Sequence, residues 1–178
     1  MNSSVRFQEI VKVVVEMGFD SSKTQFIIAV RAVNQKYSEK SLWERKVNAY
    51  KKWGWSDEEV MKAFQKNPWF MLLSEKKILA LMDFFIDKMG LKPCHVAKLS
   101  LVFTFSLEKR IIPRVSFYQV LLSRGRLKKE ISLLSLVVIS EKDFLQKFVT
   151  PLADEAPELL KLYKEKLSLS SRPERGQV

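Results

Sequence analysis

The side chains best equipped to do chemistry in this sequence are its cations. Lysine and arginine number 31 against 20 aspartates and glutamates, a net charge of +11 over 178 residues. The surplus is local: residues 1–53 carry net +5, 54–90 net −1, 91–130 net +7, and 131–178 balance. Two blocks concentrate it. The first is Arg45, Lys46, Lys51 and Lys52; the second is Lys109, Arg110, Arg114, Arg124, Arg126, Lys128 and Lys129. Within 91–130 only Glu108 and Glu130 oppose the second block. Solvated surfaces normally mix signs, so these residues are the candidate contacts for an anionic partner, a phosphate polymer first. An anionic membrane surface or an acidic protein also fits the charge alone. Arg110 and Arg114, four apart, can share one helix face, and Arg124 and Arg126 flank a glycine.

Other chemistry is sparse. Cys94 and His95 are the single cysteine and histidine. Two side chains build neither a structural zinc site nor a disulfide framework. No glycine-rich phosphate loop or nucleophile motif occurs, and the acidic run Asp57-Glu58-Glu59 is explained by a helix start. The expectation is a non-enzyme with no catalytic residues, no metal, no cofactor and no small-molecule substrate. No apolar run reaches the roughly 18 residues of a membrane span. The first 20 residues have neither a secretory pattern nor the acid-poor, Arg-rich character of a transit peptide. They read as an amphipathic helix, with Phe7, Ile10, Val11 and Val14 on one face.

The elements that must position the cations follow a period. Gly18, Gly54, Gly90 and Gly125 are spaced by 36, 36 and 35 residues. A second marker runs in step: Ser38-Glu39-Lys40, Ser74-Glu75-Lys76, Glu108-Lys109 and Ser140-Glu141-Lys142. Periods of this length signal stacked repeats. Ser56 to Glu59 forms a capping box; Ser74 and Ser140 are N-cap candidates; the glycines suit left-handed helix stops. Each repeat is therefore predicted as helix, turn, helix and glycine stop, with a short helical turn between. Leu99, Leu101, Phe103, Phe105 and Leu107 alternate like a strand, and 131–140 is rich in β-branched residues. Their place in the repeat predicts helix for both. Thr150 before Pro151 reads as an N-cap, opening a last helix with Leu159, Leu160, Tyr163 and Leu167 on one face and Asp154, Glu155 and Glu158 near its start. The four tryptophans read as core before they read as base-stacking platforms.

Several blocks in order resemble plant members of the mitochondrial transcription termination factor (mTERF) family. They are Trp43-Glu44-Arg45-Lys46, Tyr50-Lys51-Lys52-Trp53-Gly54-Trp55-Ser56, Met71 to Ile78, Met82-Asp83-Phe84-Phe85 with Lys88-Met89-Gly90, and Phe105 to Arg114. The resemblance covers most of residues 15–165 and is closest to the C-terminal half of a typical member. It implies an all-α helical-repeat superhelix of about four repeats, with a basic concave face. It further implies binding of double-stranded DNA or RNA in transcription termination, other control of gene expression, or splicing, in a mitochondrion or chloroplast. The family's mid-repeat proline is kept only at Pro68; Ala32, Leu101 and Leu134 stand at the matching places. The expected organisation is one array over 1–167: a partial repeat 1–18, then 19–54, 55–90, 91–125 and 126–167, with a frayed tail 168–178. A monomer is expected. The reading from another class is a helical-repeat scaffold for a protein partner, which would show an exposed apolar patch in place of gathered cations.

Overall fold

The structure, a computed structural model, describes residues 3–125, 131–152, 157, 161 and 163–165. Among them there are helices and turns and no strand. They fall into two compact units, Met1–Thr104 and Phe105–Val178.

In the first unit, α1 (Ser3–Glu16), α2 (Thr24–Ser38) and α3 (Lys40–Lys51) are followed by α4 (Asp57–Lys66) and a 3-10 turn, Pro68–Leu72. Then come α5 (Glu75–Met82), running on as a π-helical segment Asp83–Lys88, α6 (Pro93–Lys98) and a second 3-10 turn, Ser100–Thr104. Start signals act as the sequence predicts. Ser56 Oγ accepts from Glu59 N at 3.1 Å while Glu59 Oε2 accepts from Ser56 N at 2.9 Å. Ser74 Oγ accepts from Lys77 N, opening α5. At the other end, Gly54 has φ +88°, a region that L side chains rarely occupy. Its missing Cβ would also lie 3.4 Å from Pro93 Cγ, so Gly54 both ends one repeat and admits the next.

Aromatic residues join these repeats. Tyr50 stacks on Trp55 at 4.9 Å, and Phe103 stacks on Phe85 at 6.0 Å and on Trp55 at 6.1 Å. Asn67, buried just before Pro68, donates from Nδ2 to Ser100 O at 2.8 Å and ties the two 3-10 turns together. A buried amide without such a partner would cost about 1–3 kcal/mol.

In the second unit a π-helical turn, Leu107–Ile111, leads into α7 (Ile112–Ser123). Next are α8 (Leu133–Val138) and α9 (Glu141–Phe144), the latter extended by a π-helical turn, Leu145–Val149. Ser140 Oγ caps α9 through Asp143 N at 3.0 Å. Phe117, Phe144 and Tyr163 pack with ring centroids 5.2–6.0 Å apart. The two strand-like stretches are helical, because their apolar side chains fill successive short turns: Val102 and Phe103 in one, Leu136 and Val137 in the other, all fully buried.

Two expectations change. Thr150 is not an N-cap: its dihedrals are helical and the chain runs through it into a 3-10 turn, Thr150–Leu152. On α1 only Ile10 and Val14 are buried, and Phe7 is 58% exposed. Leu159, Leu160, Leu167, Asp154, Glu155, Glu158 and the tail 168–178 lie outside the described residues; Tyr163 is buried.

Candidate nucleic-acid interface

The predicted cations divide into three groups by what their charged ends touch. Two are interior. Lys46 is 3% exposed, and its Nζ donates to Met71 O at 2.8 Å and Gln35 Oε1 at 3.2 Å. Burial pushes its ammonium below the usual lysine range. Arg114 is fully buried. Its Nη1 donates to Leu136 O, Val137 O and Ile139 O, and its Nη2 to Glu141 Oε2 at 2.7 Å. The guanidinium also lies over the Phe144 ring, 4.7 Å from its centroid. Neither residue can meet a phosphate without giving up these partners, so both leave the set of candidate contacts. Arg110 is largely committed in the same way. Its guanidinium donates to Val137 O, Val138 O and Ile139 O and covers the Phe105 ring. Burial, then the neighbouring Arg114 charge, pushes its guanidinium below the usual arginine range.

The reason is local. The last carbonyls of a short helix have no partner within it and carry partial negative charge. Arg110 and Arg114, one helical turn apart, converge on the end of α8. Burial pushes the Glu141 carboxyl upward, but the hydrogen bonds from Arg114 and Tyr163 outweigh it and hold that carboxyl below its usual value. Tyr163 donates to Glu141 Oε1 at 2.8 Å. Sequence reasoning saw a one-signed run here and missed that carbonyls of the following repeat would consume it.

A second group is exposed but paired. Arg45 Nε sits 3.6 Å from Glu75 Oε2, and Lys51 Nζ 2.8 Å from Asp57 Oδ2. Such surface pairs contribute about 0–1 kcal/mol, and a phosphate can displace them. The third group, Lys52 and Lys109, is exposed, as is Arg124, which stands outside this sorting. Lys52 and Lys109 have no carboxylate partner among the described residues. Arg126, Lys128 and Lys129 lie outside the described residues.

Three lysines not among the predicted contacts come together in the first unit. Lys62 and Lys66 on α4 face Lys98 on α6 across a cleft of about 230 Å³. The sequence hid this cluster because its members are 36 residues apart at the extremes, and Lys62 and Lys66 sit inside the stretch 54–90, whose overall charge is slightly negative. Only the shared period, which lays α4 beside α6, signals it. Of the tryptophans, Trp43 and Trp55 are buried and Trp69 is 44% exposed. Cys94 is exposed, and among the described residues no three His, Cys, Asp or Glu side chains form a metal-binding group. No described helix is long and apolar enough to cross a membrane.

The family described as mTERF matches residues 1–100 and 80–145, most of the chain and both units. This chain belongs to the mTERF family. The family is one of helical-repeat solenoids, non-enzymatic nucleic-acid-binding proteins of organellar gene expression, and the all-α repeats described above are that fold. A comparison with curated proteins and one with solved structures found no match.

Proposed function

We propose that this mTERF protein binds double-stranded DNA or RNA as a monomer and regulates organellar gene expression, by transcription termination or regulation or by RNA processing. The observation that supports it is the sorting of the cations. After the carbonyl-bound Lys46, Arg110 and Arg114 are set aside, exposed lysines remain that have no carboxylate partner among the described residues, Lys52 and Lys109 among them. With Arg45, Lys51, Arg124 and the sequence-assigned Arg126, Lys128 and Lys129, these are the proposed backbone contacts. Lys and Arg contacts to phosphate supply affinity with little sequence information. Binding should therefore be strong in low salt, and with about five phosphates neutralised log K should fall against log salt with a slope near −4 to −5. Titration of labelled random duplex DNA, single-stranded DNA and structured RNA at several salt concentrations tests this. A salt-independent affinity, or none for any of the three, ends the proposal.

A protein-scaffold reading has its own observation. Phe7 and Ile27, 58% and 70% exposed, line a cleft of about 430 Å³ between α1 and α2. Exposed apolar side chains gathered at one cleft are what a protein-docking surface presents. Loss of a co-purifying protein from Phe7→Asp/Ile27→Asp, with nucleic-acid binding intact, would favour that reading.

A further inference from the structure

We infer that the α4/α6 cleft is a seat for the sugar–phosphate backbone of a nucleic-acid duplex, with Lys62 and Lys66 on one rim and Lys98 on the other. This deepens the nucleic-acid reading and rests on it.

The rims are basic and available. Lys66 and Lys98 are exposed and have no carboxylate partner among the described residues. Lys62 pairs with Glu58, but that pair is fully solvated, so a phosphate can take its place at little cost. The other acid at the cleft, Glu59, is already engaged: its Oε2 accepts the Ser56 backbone N–H in the capping box. That bond keeps its carboxylate turned to the start of α4.

Spacing fits a strand backbone. Lys62 and Lys66 are four residues apart, which is about 6 Å along a helix. One strand of a duplex presents a phosphate about every 3.4 Å of axis. About 6 Å covers nearly two such steps, so the two ammoniums, on flexible stems, can reach phosphates one or two apart on the same strand while Lys98 approaches from the opposite rim. Three cations drawn from two successive repeats thus act on one ridge.

The floor decides what kind of nucleic acid. It consists of exposed Cys94 with Ala63 and Ala97 buried beneath it, small side chains that leave room for a sugar edge and offer no aromatic platform. Single-strand binding draws much of its energy from bases stacked on aromatic rings, and nothing lining this cleft supplies that. Nor does the floor carry a free hydrogen-bonding side chain to read a 2′-hydroxyl. The seat should accept DNA and RNA duplexes alike, prefer both to single strands, and be indifferent to sequence.

Cys94 makes the test direct, because it is exposed, lies in the floor and is the only thiol in the chain. The full chain is titrated with labelled DNA duplex, RNA duplex and single-stranded DNA over a salt series. In parallel, alkylation of Cys94 by N-ethylmaleimide is timed with and without saturating duplex. Duplex should slow alkylation several-fold. Protein labelled beforehand at Cys94 with a bulky maleimide should lose affinity. Lys66→Gln/Lys98→Gln should flatten the log–log salt slope by about 2, near 0.9 per lost phosphate contact, whereas Lys66→Arg/Lys98→Arg keeps the wild-type slope. Duplex binding with an unprotected Cys94 and an unchanged slope in the Gln variant overturns the cleft while leaving the nucleic-acid reading standing. Failure of wild-type protein to bind any probe removes both. Tighter binding to single strands that also protects Cys94 overturns the duplex assignment.

Discussion

Lys46 in the first unit and Arg114 in the second occupy matching places. Each lies eight residues beyond a serine, the marker residue Ser38 or Ser106, which accepts from Lys109 N at the start of its helix, and each is followed four residues later by a tyrosine, Tyr50 or Tyr118. Both send a cation to carbonyls of the next repeat's short helix: Met71 O for Lys46, and Leu136, Val137 and Ile139 O for Arg114. The tyrosines add to it, Tyr50 donating to Phe70 O at 3.1 Å and Tyr118 accepting from Ile131 N at 2.7 Å. In the repeats that alternate with these, the same place holds Met82 and Phe148, both buried. It is a core position at which a cation is used as a fastener for helix ends.

The two fasteners differ in strength. A lysine ammonium is a point donor; Lys46 serves one carbonyl and one side-chain amide and has no bonded carboxylate, so burial acts on it largely uncompensated. A guanidinium is a planar fork that remains charged; Arg114 serves three carbonyls and is neutralised by Glu141. Its Nε has no hydrogen-bond partner among the described residues. The comparison teaches that cation-rich sequence in this fold has two uses, and that position within the repeat separates them better than local charge density does.

The sharpest way to break the comparison is Arg114→Ala. Removing a fully buried cation that holds three carbonyls and a carboxylate should destabilise the second unit by about 3–5 kcal/mol, read as a lower denaturant midpoint. Arg114→Lys should recover only part of that, since one ammonium cannot reproduce the fork. If Arg114→Ala unfolds near wild-type conditions, the fastener role is wrong and the residue returns to the list of free cations.

Lys46→Met should be much milder, within about 1 kcal/mol of wild type, because a buried ion replaced by an apolar side chain of similar length is often neutral or stabilising. The matching Met82 shows that the place tolerates one. A pH series sharpens the point. The folded pKa of Lys46 lies below its unfolded value of 10.5, so the unfolded chain binds the proton more readily between the two. Stability then rises with pH through that window. Wild type should gain stability relative to Lys46→Met as pH climbs toward 10.5, and parallel pH curves for the two would refute the assignment.

The smallest effect is expected from Glu141→Gln. The folded Glu141 pKa is held below 4.5, so its stabilising contribution is present above that value and is lost as pH falls through the folded pKa. Wild type should therefore lose its margin over Glu141→Gln in acid unfolding below pH 4.5. The side chain is half exposed, which keeps the margin small. A constant difference at every pH would mean that Glu141 does not respond to Arg114 and Tyr163.

Much of the fold was legible because its signals are short-range. A capping box needs only Ser56 and Glu59 three residues apart, and a helix stop needs only a glycine that can adopt positive φ, as Gly18, Gly54, Gly90 and Gly125 do. The strand-like alternation at Leu99 to Leu107 misleads for the same reason: it is a local pattern, overruled by burial of Val102 and Phe103 in a 3-10 turn between helices. The cations were the least legible. Nothing near Arg114 in sequence tells that carbonyls 22 to 25 residues later will surround it. Nothing in the acidic-leaning stretch from Ser56 to Lys66 tells that Lys62 and Lys66 will meet Lys98.

Sequence alone determined the repeat, its helical contents and the sign of the charge, because caps, stops and periodicity act over a few residues. Tertiary structure alone decided which cations reach solvent. A lysine or arginine is spent or free according to which carbonyls and carboxylates the neighbouring repeat brings within 3 Å, and that is a property of packing.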